Sequence, residues 1–164
     1  LIVAAIMNDV GPALRAGGRG KVRKYFELPY AYPDWDTACS AFRAWSEKTT
    51  PDLADAQWME RARATFVETQ DGRVRFDFDP KMAEAYGRRT NPPHSWAKFE
   101  ALMVKPVLSI RGEWSGILTA ETVDEMQARN PDMHAVTVPN RGHTPLLDEP
   151  EALAAIDSFL EALP

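Results

Sequence analysis

The sequence is poor in the features that carry several common chemistries. It has one cysteine, Cys39, in 164 residues, so no disulfide can close within it. A lone thiol also fits a reducing compartment, and the expected location is the cytoplasm. Three histidines, His94, His134 and His143, have no partners at metal-ligand spacing, so neither a metal nor another cofactor is expected. Basic residues are outnumbered, 19 Lys and Arg against 24 Asp and Glu. No basic stripe is left to neutralise phosphates, which excludes nucleic acid as the expected partner. The longest purely apolar run, Leu1 to Met7, falls well short of the ~20 residues that span a bilayer. No basic region precedes that run and no small-residue cleavage site follows it, so it is read neither as a membrane span nor as a signal peptide. Internal repeats and low-complexity tracts are absent.

What remains is globular. Hydrophobic residues make up 45% of the chain, enough for a buried core, and 13 Pro and 9 Gly punctuate the apolar segments. Leu-Ile-Val-Ala-Ala-Ile-Met, residues 1–7, reads as a strand buried on both faces. Such a strand needs neighbours on both sides, and the chain is therefore expected to be part of something longer. Asn8-Asp9-Val10-Gly11-Pro12 is a dense turn signal. The glycine-rich stretch Arg15–Gly20 lacks the Lys-Ser/Thr of a phosphate loop and reads as a hinge.

Four candidate helices follow. One covers Lys21–Leu28 and stops before Pro29. One is capped by Asp34 and carries Trp35, Ala38, Phe42 and Trp45 on one face. A third runs from Asp55 to about Thr69, with Trp58, Ala62, Thr65 and Phe66 on one side. The fourth starts at Asp79-Pro80 and ends near Gly87. Between the third and fourth, Arg73–Phe78 alternates polar and apolar residues, as in an edge strand or an extended loop. The remainder alternates strand and helix: a strand at Pro106–Arg111, a helix capped by Thr119 and ending at Asn130, a strand at His134–Val138, and a helix from Glu149 to Leu163 with Leu153, Ile156, Leu160 and Leu163 as its buried stripe. Asp148 is the expected cap of that helix. This alternation argues for an α/β fold with a parallel sheet. The expected organisation is a core strand and turn at 1–16, a mostly helical cap or lid insertion at 17–100, and a C-terminal α/β core at 101–164. Open α/β sheets bind ligands at the carboxyl ends of their strands, and a lid belongs there.

The sharpest chemical signal is Pro139-Asn140-Arg141-Gly142-His143-Thr144-Pro145-Leu146-Leu147-Asp148-Glu149-Pro150. A strand ends, Gly142 permits a tight backbone, His143 follows, and a new helix begins. This order aims an imidazole into the crevice at the top of a sheet. Imidazole is the natural general base near neutral pH. The other two histidines read as surface groups.

The segment resembles the histidine loop of the α/β-hydrolase superfamily. Residues 106–118 resemble the strand and acid-bearing turn that precede that loop. Residues 1–12 resemble the strand after the nucleophile-bearing helix, and residues 17–100 resemble the helical cap of esterase, lactonase and C–C hydrolase members. The resemblance spans essentially the whole chain and implies the C-terminal half of that fold. It further implies a Gly-x-Ser-x-Gly nucleophile elbow, an acid that orients the histidine, and acyl transfer to water from a small-molecule ester, lactone or C–C substrate. The sequence departs from the pattern twice. No Gly-x-Ser-x-Gly occurs in residues 1–164, so nucleophile and oxyanion loop are expected in a missing N-terminal half. Relatives commonly read Arg-Gly-Glu-x-Ser-Asp at the acid turn, whereas here Arg111-Gly-Glu-Trp-Ser-Gly116 puts glycine at the acid position. Two carboxylates can replace it: Asp9, after the first strand, and Glu113, in the turn itself. The structural alternatives are a turn former for Asp9 and, for Glu113, a carboxylate that pairs with Arg111 or caps the turn. Trp114 is the candidate wall of a substrate pocket. Trp35, Trp45, Trp58 and Trp96 either line an acyl pocket or pack the insertion. The competing functional expectation is an inactive fragment, pseudoenzyme or interaction module.

Overall fold

The computed structural model describes residues 2–15, 17–87 and 95–163. His94 lies outside the described residues. The chain divides into two compact units, Leu1–Arg19 with Asn91–Pro164, and Gly20–Thr90.

The first unit is α/β. Strand β1 (Ala5–Asn8) lies parallel to a later strand, Val107–Gly112, which lies parallel in turn to His134–Val138. The middle strand is almost wholly buried, because it has a ladder on each side and helices on both faces. Its odd and even residues feed two cores. Leu108 and Ile110 join Val138, Ala152 and Phe159 on one face. Val107 joins Phe99, Leu118, Val123, Met126 and Met133 on the other.

The second unit holds helix α1 (Gly18–Phe26), β2 (Ala31–Tyr32), α2 (Trp35–Ser46), α3 (Asp55–Thr65), β3 (Phe66–Glu68), β4 (Val74–Phe76) and α4 (Lys81–Gly87). Asp34 caps α2 by accepting from the Thr37 amide at 2.7 Å. The three strands form an antiparallel sheet in the order β2-β4-β3. The segment expected as an edge strand or an extended loop is thus the central strand: Val74 and Phe76 are buried and Arg75 between them is half-buried. Helix α3 stops at Thr65, four residues earlier than expected, because the β-favouring Phe66-Val67 pairs with Phe76 and Arg75 instead of continuing the helix. Phe66, Phe76, Tyr32, Val74, Ala38 and Ala62 form the core. Trp58 is buried against Phe42, a packing role.

Helix α5 (Trp96–Leu102) packs in the first unit through Phe99, although its sequence position suggested the insertion. The middle strand is β5, and α6 (Ala120–Arg129) follows it with Thr119 accepting from the Thr122 amide. The last strand is β6, and α7 (Pro150–Glu161) closes the chain.

Three further expectations are corrected here. The expected strand at 1–7 is not buried on both faces over its described residues: pairing starts at Ala5, while Ile2, Val3 and Ile6 are exposed, because β5 is the only described strand beside β1. The buried residues of α7 are Ala152 and Phe159, with Ala155 and the expected Ile156 packed beside them and the expected Leu163 packed on the same core just past the helix. The bulky Phe159 fills the core under the helix, and Leu153 and Leu160 face outward. The cap position of α7 falls on Glu149, not Asp148, because Pro150 occupies the first turn.

Phe76 is essentially inaccessible and lies 4.5 Å from Phe66 and 4.9 Å from Phe78, centroid to centroid. Phe76→Ala is expected to cost about 3–5 kcal/mol of stability, read by chemical denaturation with the Phe and Trp signals of this unit as the probe.

Candidate active site

The three parallel strands end at one place. Asn8 ends β1, Gly112 ends β5 and Val138 ends β6. The amide of Asp9 donates to Ile110 O at 2.7 Å, which extends the β1–β5 ladder by one bond and sets Asp9 beside the end of β5. Its side chain is fully buried. Oδ1 accepts from the Gly112 amide at 3.0 Å, and Oδ2 accepts from the Ser115 hydroxyl at 2.6 Å. The same Oδ2 lies 2.7 Å from Nδ1 of His143, 134 positions away in sequence. The His143 side chain keeps 31% exposure, so one edge of the ring is packed on the carboxylate and the other is open.

The histidine loop is held as tightly as the ring. Asn8 Nδ2 donates to Pro145 O at 3.0 Å. Glu149 accepts from the amides of Leu146 and Leu147, each at 2.9 Å, and from Arg141 Nε at 2.7 Å. Arg141 and Glu149 are both nearly buried, so one carboxylate ties the two sides of the loop together across His143. Burial pushes the Glu149 carboxyl up, but the Leu146 amide and the Arg141 guanidinium outweigh it and hold the group below the ordinary carboxylate range. Gly112 is a requirement of packing. A Cβ there would meet Gly142 O at 2.4 Å and Arg141 O at 2.7 Å, both backbone atoms that cannot step aside.

Among the described residues, the non-glycine positions with positive φ are Asp9 (53°), Asn140 (54°) and Leu147 (68°). All three lie at this site. Left-handed backbone costs a non-glycine residue of order 1 kcal/mol and persists only where its surroundings impose it. Each of the three has its amide fixed: Asp9 by Ile110 O, Asn140 by Glu113 Oε2, and Leu147 by Glu149 Oε2.

The two candidate acids therefore sit in different places. Asp9 is against the imidazole. Glu113 is exposed and accepts from the Asn140 amide at 2.9 Å, bracing the start of the histidine loop. Arg111 reaches the Glu113 carbonyl and Leu118 O. Trp114 is 47% exposed on the same turn, its amide donating to Arg141 O. Trp96 packs on Phe99 in the core of the unit. His134 opens β6 at the opposite end of the strands, with its ring 6.3 Å from Phe159. A groove of about 380 Å³ lies at that same far end, between Met103, Lys105, His134 and Phe159, away from His143. Burial pushes the Cys39 thiol up, with Asp36 adding to the shift, which disfavours a thiolate nucleophile there. Residues that the sequence reading passed over are Ser115, Arg141 and Glu149. The Ser115-to-acid contact spans 106 positions and left no local signal, whereas Arg141 and Glu149 lie inside the histidine motif.

Comparison with known proteins gives the same architecture. The crystal structure of an α/β hydrolase from Novosphingobium aromaticivorans superposes with a TM-score of 0.88 at 39% identity, over 98% of this chain and 57% of that one. The fold is that of the α/β hydrolases. An esterase from Mycobacterium tuberculosis shares the fold at a TM-score of 0.65 and 19% identity, over 96% of this chain and 51% of the esterase. In sequence, the chain is 30% identical over 166 aligned positions to a 3-hydroxybutyrate-oligomer hydrolase of Cupriavidus necator, covering 94% of this chain and 55% of the relative. No protein-family model matches. The chain spans about half the length of the relatives it matches. No described helix is long and apolar enough to cross a membrane.

Glu149→Gln removes one carboxylate charge 2.7 Å from a nearly buried guanidinium and is expected to cost about 3 kcal/mol near neutral pH. A carboxyl held below its ordinary value stabilises the fold above that value and loses its effect as pH falls through the folded one. The stability gap between wild type and Glu149→Gln is therefore expected to be full above pH ~4.5 and to close below it, as followed by melting temperature across a pH series.

Proposed function

We propose that these 164 residues form the C-terminal half of a serine-type acyl hydrolase, with His143 as general base and Asp9 as the acid that orients it. The observation that carries this reading is the 2.7 Å contact between buried Asp9 Oδ2 and His143 Nδ1 at the carboxyl ends of three parallel strands. With a carboxylate accepting at Nδ1, the ring proton sits there and Nε2 offers its lone pair on the exposed edge. A nucleophilic hydroxyl at Nε2 would lose its proton to His143 as it attacks an acyl carbon. His143 would return that proton to the leaving group, and Asp9 would stabilise the imidazolium formed between those events. The nucleophile and the oxyanion donors are proposed to come from sequence outside these residues, since no Gly-x-Ser-x-Gly occurs here.

The alternative of an inert module drew on the absent nucleophile and on the glycine at position 116. The Asp9 carboxylate at the imidazole answers the second ground and supports the catalytic reading. Among ester, lactone and C–C substrates, the 3-hydroxybutyrate-oligomer hydrolase relative favours an ester, because hydroxy-acid oligomers are joined by ester bonds. The insertion, 17–100 by sequence, is proposed as the cap module that selects the acyl group, with Trp114 as a substrate contact outside it. The cytoplasmic assignment belongs to the same proposal.

The full-length protein is expected to hydrolyse short hydroxyacyl esters and to be labelled by a serine-directed phosphonate. Asp9→Asn is expected to lower kcat by roughly 10⁴-fold, since the neutral amide no longer fixes the imidazole. Glu113→Gln is expected to keep kcat within about tenfold, as a loop brace rather than an acid. Steady-state kinetics on the purified variants decide this. Equal losses in the two variants, or no labelling in the wild type, would sink the assignment.

A further inference from the structure

We infer that Ser115 is a positioning residue that fixes the carboxylate of Asp9, and through it His143, by a hydroxyl whose proton has only one place to go. The inference rests on the proposed general-base role of His143.

A serine hydroxyl has one proton and two lone pairs. The Ser115 oxygen accepts from the amide of Ile117 at 3.0 Å and from that of Leu118 at 2.9 Å. Both lone pairs are thereby engaged. The proton is left to donate, and Asp9 Oδ2 lies 2.6 Å away. Ser115 is 2% exposed, so water does not compete for that proton. An ordinary serine is a rotor that trades partners, whereas this one is a one-way donor set by two backbone amides. The carboxylate is consequently gripped at both ends: Oδ1 by the Gly112 amide and Oδ2 by Ser115. Those bonds define the carboxylate plane. The remaining lone-pair direction on Oδ2 receives Nδ1 of His143. Without Ser115, Oδ1 keeps the Gly112 amide and Oδ2 keeps only the imidazole, so the carboxylate loses one of the three bonds that set its plane.

A turn brace and a positioning residue differ in what they move. Loss of a brace at Ile117 and Leu118 lowers stability and leaves the imidazole alone. Loss of a positioning donor reaches His143. The test uses the full-length protein with Ser115→Ala, Ser115→Thr and the near-isosteric Ser115→Cys. It reads the far-downfield Nδ1–H proton resonance of His143, assigned with His143→Gln, together with kcat and KM. Ser115→Ala is expected to broaden or lose the resonance and to lower kcat by about 10- to 100-fold with KM within twofold. Ser115→Thr, which keeps the hydroxyl, is expected to restore both. Should Ser115→Ala not fold, Ser115→Cys serves: a thiol donates weakly and is expected to give the same losses in smaller measure. A wild-type resonance and wild-type kcat in the Ala variant, or in the Cys variant when Ala does not fold, would overturn the inference. The resonance separates it from the hydrolase reading. Its loss in Ser115→Ala and return in Ser115→Thr, in a protein that hydrolyses nothing, upholds the positioning and rejects the hydrolase. Normal hydrolysis with an unmoved resonance does the reverse.

Discussion

The bond between Asp9 and His143 joins the two ends of the first unit, and much of the local architecture exists to make it possible. A carboxylate with no exposure is costly unless each oxygen has donors. Here the donors come from three directions: the end of β5, the turn after it, and the histidine loop. Remove the parallel pairing of β1 with β5 and Asp9 loses Gly112. Shift the loop after β6 and it loses His143. The register of the sheet and the position of the acid are thus one constraint.

That constraint explains where the unfavourable backbone sits. Asp9, Asn140 and Leu147 all carry positive φ, and each amide is answered by an oxygen from a neighbouring element. Glu113 and Glu149 each give a carboxylate oxygen to such an amide. In the proposed reading their charges serve the shape of the loop, and the chemistry is left to one acid and one base. The close passage of Gly142 and Arg141 over Gly112 belongs to the same design, since any side chain at 112 would push the loop off the sheet. Fold alone does not determine function. The proposed hydrolysis therefore rests on this constellation and on the likeness of the chain to known hydrolases.

Much of this was legible beforehand. The α/β order after residue 105 followed from continuous apolar runs at β5 and alternating caps such as Thr119, and those signals are local. His143 stood out because Gly142 precedes it at a strand end. Asp9 could be named as a candidate from its place after β1, but its preference over Glu113 depends on a contact across 134 positions that no local pattern encodes. The alternation at Arg73–Phe78 fits a strand or an extended loop equally, and the central place of Val74–Phe76 is not legible, because Ala31–Tyr32 is too short to announce itself as a partner. The stripe of α7 was misplaced for a related reason. Leu153 and Phe159 are both apolar, and only the shape of the β5–β6 surface decides which turns inward. Local chemistry sets the elements, and long-range fit sets their faces and partners.

Asp9 and His143 are proposed to act as a unit. A double-mutant cycle on ester hydrolysis by the full-length protein, with Asp9→Ala, His143→Ala and the pair together, tests it directly. Groups that act as one are strongly non-additive, so the double variant is expected to be scarcely slower than His143→Ala alone. Losses that multiply across the cycle would mean that the two residues contribute independently and would rule out a coupled pair.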